Sequence, residues 1–252
     1  MKKYYYDLHI HSCLSPCGDD DMTPNNIAGM GVVAKLDIMA LTDHNTCRNC
    51  PAFYKTARAN GIVPVAGMEL TTAEDIHLVC LFEELEAAMR FDETIRNRRM
   101  LIKNRVDIFG EQKILDENDE VIGIEEYLLS NATDITVDEA PALVDEYGGI
   151  CYPAHIDREA NGIIATLGVF PDTPYFPCAE LHDGDKKAEY EAKHPIISGK
   201  PVVVSSDAHY LWDISGRLNC FELDCDDNEA EIRKKLFERL KGWSDGSNPN
   251  NA

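Results

Sequence analysis

No stretch of this 252-residue chain reaches the roughly 18 consecutive apolar residues that a membrane span needs, so no span is expected. Met1-Lys2-Lys3 leads straight into Tyr4-Tyr5-Tyr6, without the apolar core of a secretory leader. A cytoplasmic location is therefore the expectation. Basic residues are few: 24 Lys and Arg face 45 Asp and Glu, a formal net charge of −21. Duplex nucleic acid is gripped through a basic footprint and anionic membrane surfaces through polybasic segments. On that ground neither duplex nucleic acid nor a membrane is expected as a partner, and a small phosphorylated substrate is favoured over a long polyanion. The chain also lacks a glycine-rich phosphate loop, an internal repeat and a low-complexity linker. One domain is expected over residues 1–243, followed by a polar tail at 244–252 that reads as disordered. Nothing in the sequence sets an oligomeric state. Nine cysteines, an odd number with no export signal, read as thiols or metal ligands rather than as a disulfide framework.

What the chain does have is histidine paired with carboxylate. Asp7-Leu8-His9-Ile10-His11-Ser12 closes an expected first strand at about residues 4–10. Side chains alternate along a strand, so His9 and His11 share a face, about 7 Å apart at their Cα atoms. Such a pair alone reads more readily as two half-buried histidines on a sheet than as a metal site. The other histidines separate the two readings. His44, His77, His155 and His209 each stand at the end of an apolar, strand-like run, with Asp43, Glu69 and Asp207 close by. A metal site assembled from several strand ends accounts for all of them together.

The rest of the chain reads as alternating helices and strands. A loop from Ser12 to Met22 carries Cys13, Cys17 and Asp19-Asp20-Asp21. Thr23-Pro24 opens a helix whose buried stripe is expected at Ile27, Met30 and Val33. Strands are expected at 36–42, 62–68, 76–82, 150–153, 178–181 and 201–205, with one more at 219–223. Helices are expected around Phe53 to Asn60, over 83–103, from Ala140 to Tyr147, and over 227–240. Residues 106–122 break the alternation and read as an inserted hairpin turning at Asp116 to Asp119. Strand–helix alternation over this length implies a parallel sheet, and functional residues at many strand ends favour a closed barrel over an open sheet.

Imidazole and carboxylate donors suit Zn²⁺, Mn²⁺ or Fe²⁺, and this inventory can hold two or three ions. Neighbouring ions can share a water, acidify it and clamp the oxygens of a phosphate under attack. Glu69, between the two groups of histidines, is the natural bridging carboxylate. Cys13 and Cys17 lie in the loop after the first strand, and Cys47 and Cys50 in the loop after the second. If those loops are neighbours, the four thiols could bind a structural zinc or an iron–sulfur cluster, or remain plain thiols.

Asp7-Leu8-His9-Ile10-His11-Ser12, Leu41-Thr42-Asp43-His44-Asn45, Gly67-Met68-Glu69-Leu70-Thr71, the His77 strand, Pro153-Ala154-His155-Ile156-Asp157 and Ser205-Ser206-Asp207-Ala208-His209 together resemble the PHP family, named for polymerase and histidinol phosphatase. The resemblance covers about residues 4–210 in the family's motif order. It implies a distorted (β/α)7 barrel with a trinuclear metal site and phosphoesterase activity. It places His9, His11, Glu69 and Asp207 on one ion, Glu69, His77 and His155 on a second, and Asp19, His44 and His209 on a third. Asp20 and Asp21 stand close enough to compete with Asp19. Asp7 and Asp43 are read as orienting the neighbouring imidazoles or as strand-end caps, Arg158 as a phosphate clamp or a solvated loop arginine, and His182 and His194 as ordinary loop histidines.

The resulting expectation is a metal-dependent phosphoric ester hydrolase acting on a small phosphorylated metabolite or nucleotide through a metal-bound hydroxide. Asp207 and Arg158 would act catalytically. The alternatives are a nuclease on short oligonucleotides and a non-catalytic metal-binding accessory protein.

Overall fold

The structure, a computed structural model, describes residues 1–214, 216–226 and 228–242; the expected tail at 244–252 lies outside them. In chain order the elements are β1 (Lys2–Asp7), α1 (Pro24–Ala34), β2 (Ile38–Leu41), α2 (Cys50–Ala59), β3 (Val63–Thr71), β4 (His77–Phe82), α3 (Leu85–Arg96), α4 (Val106–Phe109) and β5 (Gln112–Leu115). There follow β6 (Val121–Glu125), α5 (Ala140–Glu146), β7 (Ile150–Pro153), α6 (Ile163–Leu167), β8 (Ala179–Leu181), α7 (Lys187–Lys193), β9 (Val202–Val204), β10 (Cys220–Leu223) and α8 (Glu229–Leu240). Among the described residues no helix is long and apolar enough to cross a membrane.

The main sheet runs β10-β1-β2-β3-β4-β7, and β8-β9 form a separate parallel pair. The expected parallel order holds only in part. β1, β2 and β3 are parallel, but β4 is antiparallel to both β3 and β7, and β10 is antiparallel to β1. The reason is loop length. Residues 72–76 are too few for the crossover that a parallel neighbour needs, and they close a hairpin in which Thr72 N donates to Ile76 O at 2.9 Å. This reversal positions the site. His77 begins its strand, yet its register partner is Thr71 at the end of β3, so His77 and Glu69 meet at one edge.

The sheet curls until its ends approach each other. Ile156 N donates to Glu180 O at 2.9 Å, joining the end of β7 to β8, and His11 N donates to Ala208 O at 3.0 Å beside an Ile10–Ala208 bridge. Alternation along the strands divides the core in two. Met39, Leu41, Met68 and Cys80 pack with Phe53 of α2 and Phe91 of α3. Leu8, Ala40, Val65, Val79 and Tyr152 pack with Leu236 and Phe237 of α8. Glu69 continues the face of Val63 and Val65, and His77 that of Val79, so both point into the curl.

α1 starts where expected, with Thr23 Oγ1 accepting from Asn26 N at 3.3 Å and Pro24 in the first turn. Its buried face is Ile27, Ala28 and Gly31; Val33, expected inside, is 71% exposed. Gly31 lets α1 lie close on β2, since a Cβ there would sit 2.2 Å from Met39 Sδ. The hairpin expected near 106–122 is displaced along the chain. Val106–Phe109 is one helical turn, and the antiparallel pair is β5 with β6, spanning 112–125. Asn49 ties that hairpin to the loop after β2, donating to Lys113 O at 3.1 Å and accepting from Leu115 N at 2.9 Å.

Candidate metal centre

The chain segments after β1 and β9, together with β3, bring four buried donors together. His9 Nε2 and His11 Nε2 lie 3.2 Å apart. They stand 3.4 and 3.2 Å from Asp207 Oδ1 and 3.3 Å each from Glu69 Oε1 and Oε2. A tetrahedral ion with ligand bonds of about 2.0–2.1 Å has donor–donor edges of roughly 3.3–3.4 Å, which these separations match. Asp207 Oδ1 and His44 Nδ1 are buried without a hydrogen-bond partner, as donors aimed at a cation would be. The residues therefore fit a metal.

Glu69 is the hub. Its Oε1 lies 2.8 Å from His77 Nδ1 and 3.1 Å from His155 Nε2, and its Oε2 lies 3.1 Å from His44 Nδ1. A second group of donors is His44, Glu69 and His77, and a third is His11, Cys17, His44 and His209, each with its ligand atoms within 4.8 Å of one another. His155 reaches the cluster through Glu69, while His44 stands between the second and third groups.

Asp19 is not brought in. Its Oδ1 accepts from Asp21 N at 3.0 Å and its own N donates to His209 O at 2.9 Å, so it shapes the loop. Asp20 pairs with Lys113 at 2.7 Å, and none of the three donor groups contains Asp19, Asp20 or Asp21. Cys17, two residues before Asp19, lies instead with His11, His44 and His209. The loop folds back through two short turns, Ser15 N to Ser12 O at 3.0 Å and Gly18 N to Ser15 O at 2.9 Å. Gly18 is needed there because a Cβ would sit 2.2 Å from Ser12 O. The four-cysteine site does not form: Cys47 and Cys50 turn their thiols to the Gly67 carbonyl at 3.2 and 3.6 Å, in the core, away from Cys17's histidines.

The imidazoles are oriented from behind. His9 Nδ1 donates to Glu180 Oε1 at 2.8 Å. Ser15 Oγ donates to Asp43 Oδ1 at 2.7 Å and therefore accepts from His11 Nδ1 at 3.0 Å. Both arrangements leave the Nε2 lone pair facing the cluster, the tautomer that metal ligation requires. Asp43 thus acts through Ser15, whereas Asp7 caps backbone, with Oδ1 accepting from His9 N at 3.5 Å and Ser206 N at 3.1 Å. His155 and Asp207 both have positive φ, 27° and 53°, a strain that non-glycine residues rarely carry and that clusters at functional sites.

Arg158 Nη1 donates to Asp207 Oδ2, leaving Oδ1 to the cluster, and its Nη2 lies 3.0 Å from His182 Nδ1. His182 is exposed in the loop after β8, against that guanidinium. With Arg158, Asp207, His209, Cys17 and Tyr210 it lines a cavity of about 640 Å³ at the cluster's mouth. Sequence reasoning missed Glu180, Ser15 and His182, and it grouped Cys17 with other cysteines instead of with the histidines. Glu180 carried a usable signal, a carboxylate inside the short strand already expected at 178–181; Ser15 and His182 carried none.

Charge within the cluster is strongly coupled. Burial pushes Glu69 up, but His77, His9 and His44 outweigh it and hold its carboxyl well below the usual range. Burial pushes His9 down, but Glu180, Glu69 and Asp207 raise it well above its ordinary value. His11 is likewise driven up to about 9, with burial opposed by Asp207 and Glu69. Burial and the neighbouring His11 bring His209 down to about 4. A raised His11 favours the metal-free fold below its ordinary value of 6.5, a contribution lost as pH rises through about 9. A cation competes with that same proton. Binding of Zn²⁺ should therefore release about one proton or more at pH 7.5 and tighten as pH rises towards 9. Calorimetric titration in buffers of different ionisation enthalpy measures this, and release of no proton would contradict it.

The PHP domain sequence profile matches residues 7–133, just over half of the chain. An uncharacterized protein of Methanocaldococcus jannaschii, MJ1587, is 32% identical over 98 residues, covering 35% of this chain and 57% of that protein. The lesion-specific endonuclease PfuEndoQ of Pyrococcus furiosus superposes with a TM-score of 0.64 at 20% identity, covering 96% of this chain and 57% of that one. A protein of Bifidobacterium adolescentis assigned as a metal-dependent phosphoesterase gives 0.55 at 16%, covering 92% and 95%. The structural likenesses establish the fold, an α/β curled sheet. This chain spans little more than half the length of MJ1587 and of the endonuclease.

One expectation is overturned here. Net charge argues against a duplex partner, yet Endonuclease Q, of the same fold, is seen with a 27-mer duplex carrying an abasic lesion at its active site, with a TM-score of 0.58, 20% identity, and coverage of 92% of this chain and 56% of that one. The exclusion fails because net charge sums over the whole surface, whereas a strand meets an active site only at its mouth.

Proposed function

This chain belongs to the PHP domain family, and on that premise we propose that it is a metal-dependent phosphoesterase whose centre is held by His9, His11, Cys17, His44, Glu69, His77, His155, Asp207 and His209. The observation that carries the reading is the convergence of Glu69 and Asp207 with buried imidazoles at the spacing of a coordination polyhedron. Divalent ions bound there supply Lewis acidity towards a phosphoryl oxygen and acidify a bound water.

The chain's own residues do the rest. Glu180 and the Ser15–Asp43 pair keep His9 and His11 in the ligating tautomer. Asp207 divides its oxygens between the cluster and Arg158. Arg158 stands at the mouth with a guanidinium able to bind two phosphate oxygens as a phosphate replaces Asp207 Oδ2. Burial and Arg158 bring His182 below its ordinary value, which favours the neutral ring, a proton acceptor beside that phosphate. A nuclease reading is the second one, favoured by the likeness to Endonuclease Q.

The test is a panel assayed with Mn²⁺: phosphomonoesters, bisphosphonucleosides, short oligonucleotides, and a duplex with an abasic site. Turnover of the first two classes supports the phosphatase reading, and cleavage within a strand supports the nuclease. Elemental analysis should find more than one equivalent of Zn, Mn or Fe, and one fewer in Cys17→Ser. A fully metallated protein that hydrolyses nothing in the panel would return the chain to a non-catalytic metal-binding role.

A further inference from the structure

The residue after His209 begins a feature that the metal centre does not require. Tyr210 leads into a single tight turn, Leu211–Asp213, which folds Trp212 back onto it. The two rings stack with centroids 4.8 Å apart and planes 15° from parallel. They are not covered: Trp212 is 74% exposed and Tyr210 41%. A stacked aromatic pair offering a bare π-face is an unusual use of surface, because tryptophan is highly buried on average.

Its position connects it to the chemistry. Tyr210 and Asp213 line the same cavity as Asp207, His209 and Arg158. Tyr210 directly follows a donor of the cluster, with Cα atoms about 3.8 Å apart across the peptide. Arg158 and the metal donors in the cavity's lining suit a phosphate. Tyr210 and Asp213 line it as well, and the Asp213 carboxylate repels a phosphate; Trp212 is not in the lining but extends the aromatic surface by stacking on Tyr210. A volume of about 640 Å³ lies within the range of small-ligand sites.

Resting on the phosphoesterase reading, we propose that Tyr210 and Trp212 form the base-stacking platform of a nucleotide subsite. The substrate is a phosphate ester of a nucleotide, its phosphate at Arg158 and the metal centre and its nucleobase on the free face of the aromatic pair. Every base has a π-face, so the platform selects nucleotides from sugar phosphates without selecting one base from another. The pair is already stacked, so little side-chain freedom is lost on binding.

Two measurements test this. Trp243 is the other tryptophan of the chain, so a Trp243→Phe background leaves Trp212 as the reporter. In metal-loaded protein, adenosine 5′-monophosphate or a thymidine tetranucleotide should quench its fluorescence, and ribose 5-phosphate should not. A much tighter response to the tetranucleotide identifies a nucleotide within a strand, and an equal or tighter response to the monophosphate a free one. This readout needs no turnover, so a catalytically silent protein that still shows base-dependent quenching loses the phosphoesterase reading and keeps the platform. In the second measurement, Trp212→Ala and Tyr210→Ala should each lower the ratio of kcat/KM for the nucleotide to that for ribose 5-phosphate by about tenfold, mainly through KM, with Trp212→Phe restoring most of it. Absence of base-dependent quenching, or equal losses on both substrates, overturns the proposal.

Discussion

Glu69→Gln should leave the protein folded, release at least one metal ion and lower kcat by several orders of magnitude. Glu69 is buried and uses both oxygens: Oε1 faces His9, His77 and His155, and Oε2 faces His11 and His44. Glutamine keeps the shape, so the β3 packing around it survives. It removes the negative charge that offsets repulsion between neighbouring cations, and it replaces one acceptor oxygen with an NH₂ group pointed at imidazole nitrogens. The same change also disturbs the metal-free protein, because Glu69 is one of the carboxylates that raise His9 and His11. Proton release on Zn²⁺ binding should therefore shrink in the variant. Metal content by elemental analysis, circular dichroism and steady-state kinetics check the three claims. Full metal content with near-normal turnover would mean that Glu69 is not shared between ions, and the donor sets would have to be redrawn around another carboxylate.

Glu180→Ala should weaken metal binding by about 10–100-fold, the usual cost of losing a partner that holds a ligating histidine. Glu180 touches the cluster only from behind. Its Oε1 accepts from His9 Nδ1 at 2.8 Å and from His155 N at 3.1 Å, so one oxygen fixes one ring and the strained backbone of another donor. Without it, His9 can flip or change tautomer and lose the direction of its Nε2 lone pair. Glu180→Gln retains an acceptor oxygen and should recover much of the affinity, which separates a positioning role from a purely charge-based one. Competition with a chelator of known affinity measures both variants. Wild-type affinity in Glu180→Ala would show that the chain around His9 holds the ring unaided.

The fold and the site were legible to different depths, and particular residues show why. Strand and helix positions follow from local patterns. Thr23-Pro24 starts α1, Gly61 with φ +73° ends the α2 turn, and the alternation of Val63, Val65 and Glu69 sets which face of β3 looks inward. Strand direction is not a local property. His77 at the beginning of a run and Glu69 near the end of another meet because the five residues between β3 and β4 allow only a hairpin. The hairpin at 112–125 shows the same limit: Val106–Phe109 has strand-like composition, but Arg105 and Gly110 bound it as one helical turn.

Residue chemistry by itself determined that this chain concentrates metal donors. The identities and order of His9, His11, His44, Glu69, His77, His155, Asp207 and His209 suffice for that, because only convergence explains so many histidines and carboxylates at strand ends. Which atoms meet was decided by tertiary structure alone. Asp19 and Cys17 sit two residues apart in one loop, and composition favours the carboxylate. The turns through Ser12, Ser15 and Gly18 instead carry the thiol over His11, His44 and His209 and spend Asp19 on the loop's own backbone. Ser15, Glu180 and His182 gained their roles in the same way, through contacts spanning 28, 171 and 24 residues of sequence. The Glu180 and His182 contacts arise where the sheet curls its ends together and the Ser15 contact where the loops after β1 and β2 meet, and no local pattern of side chains encodes either.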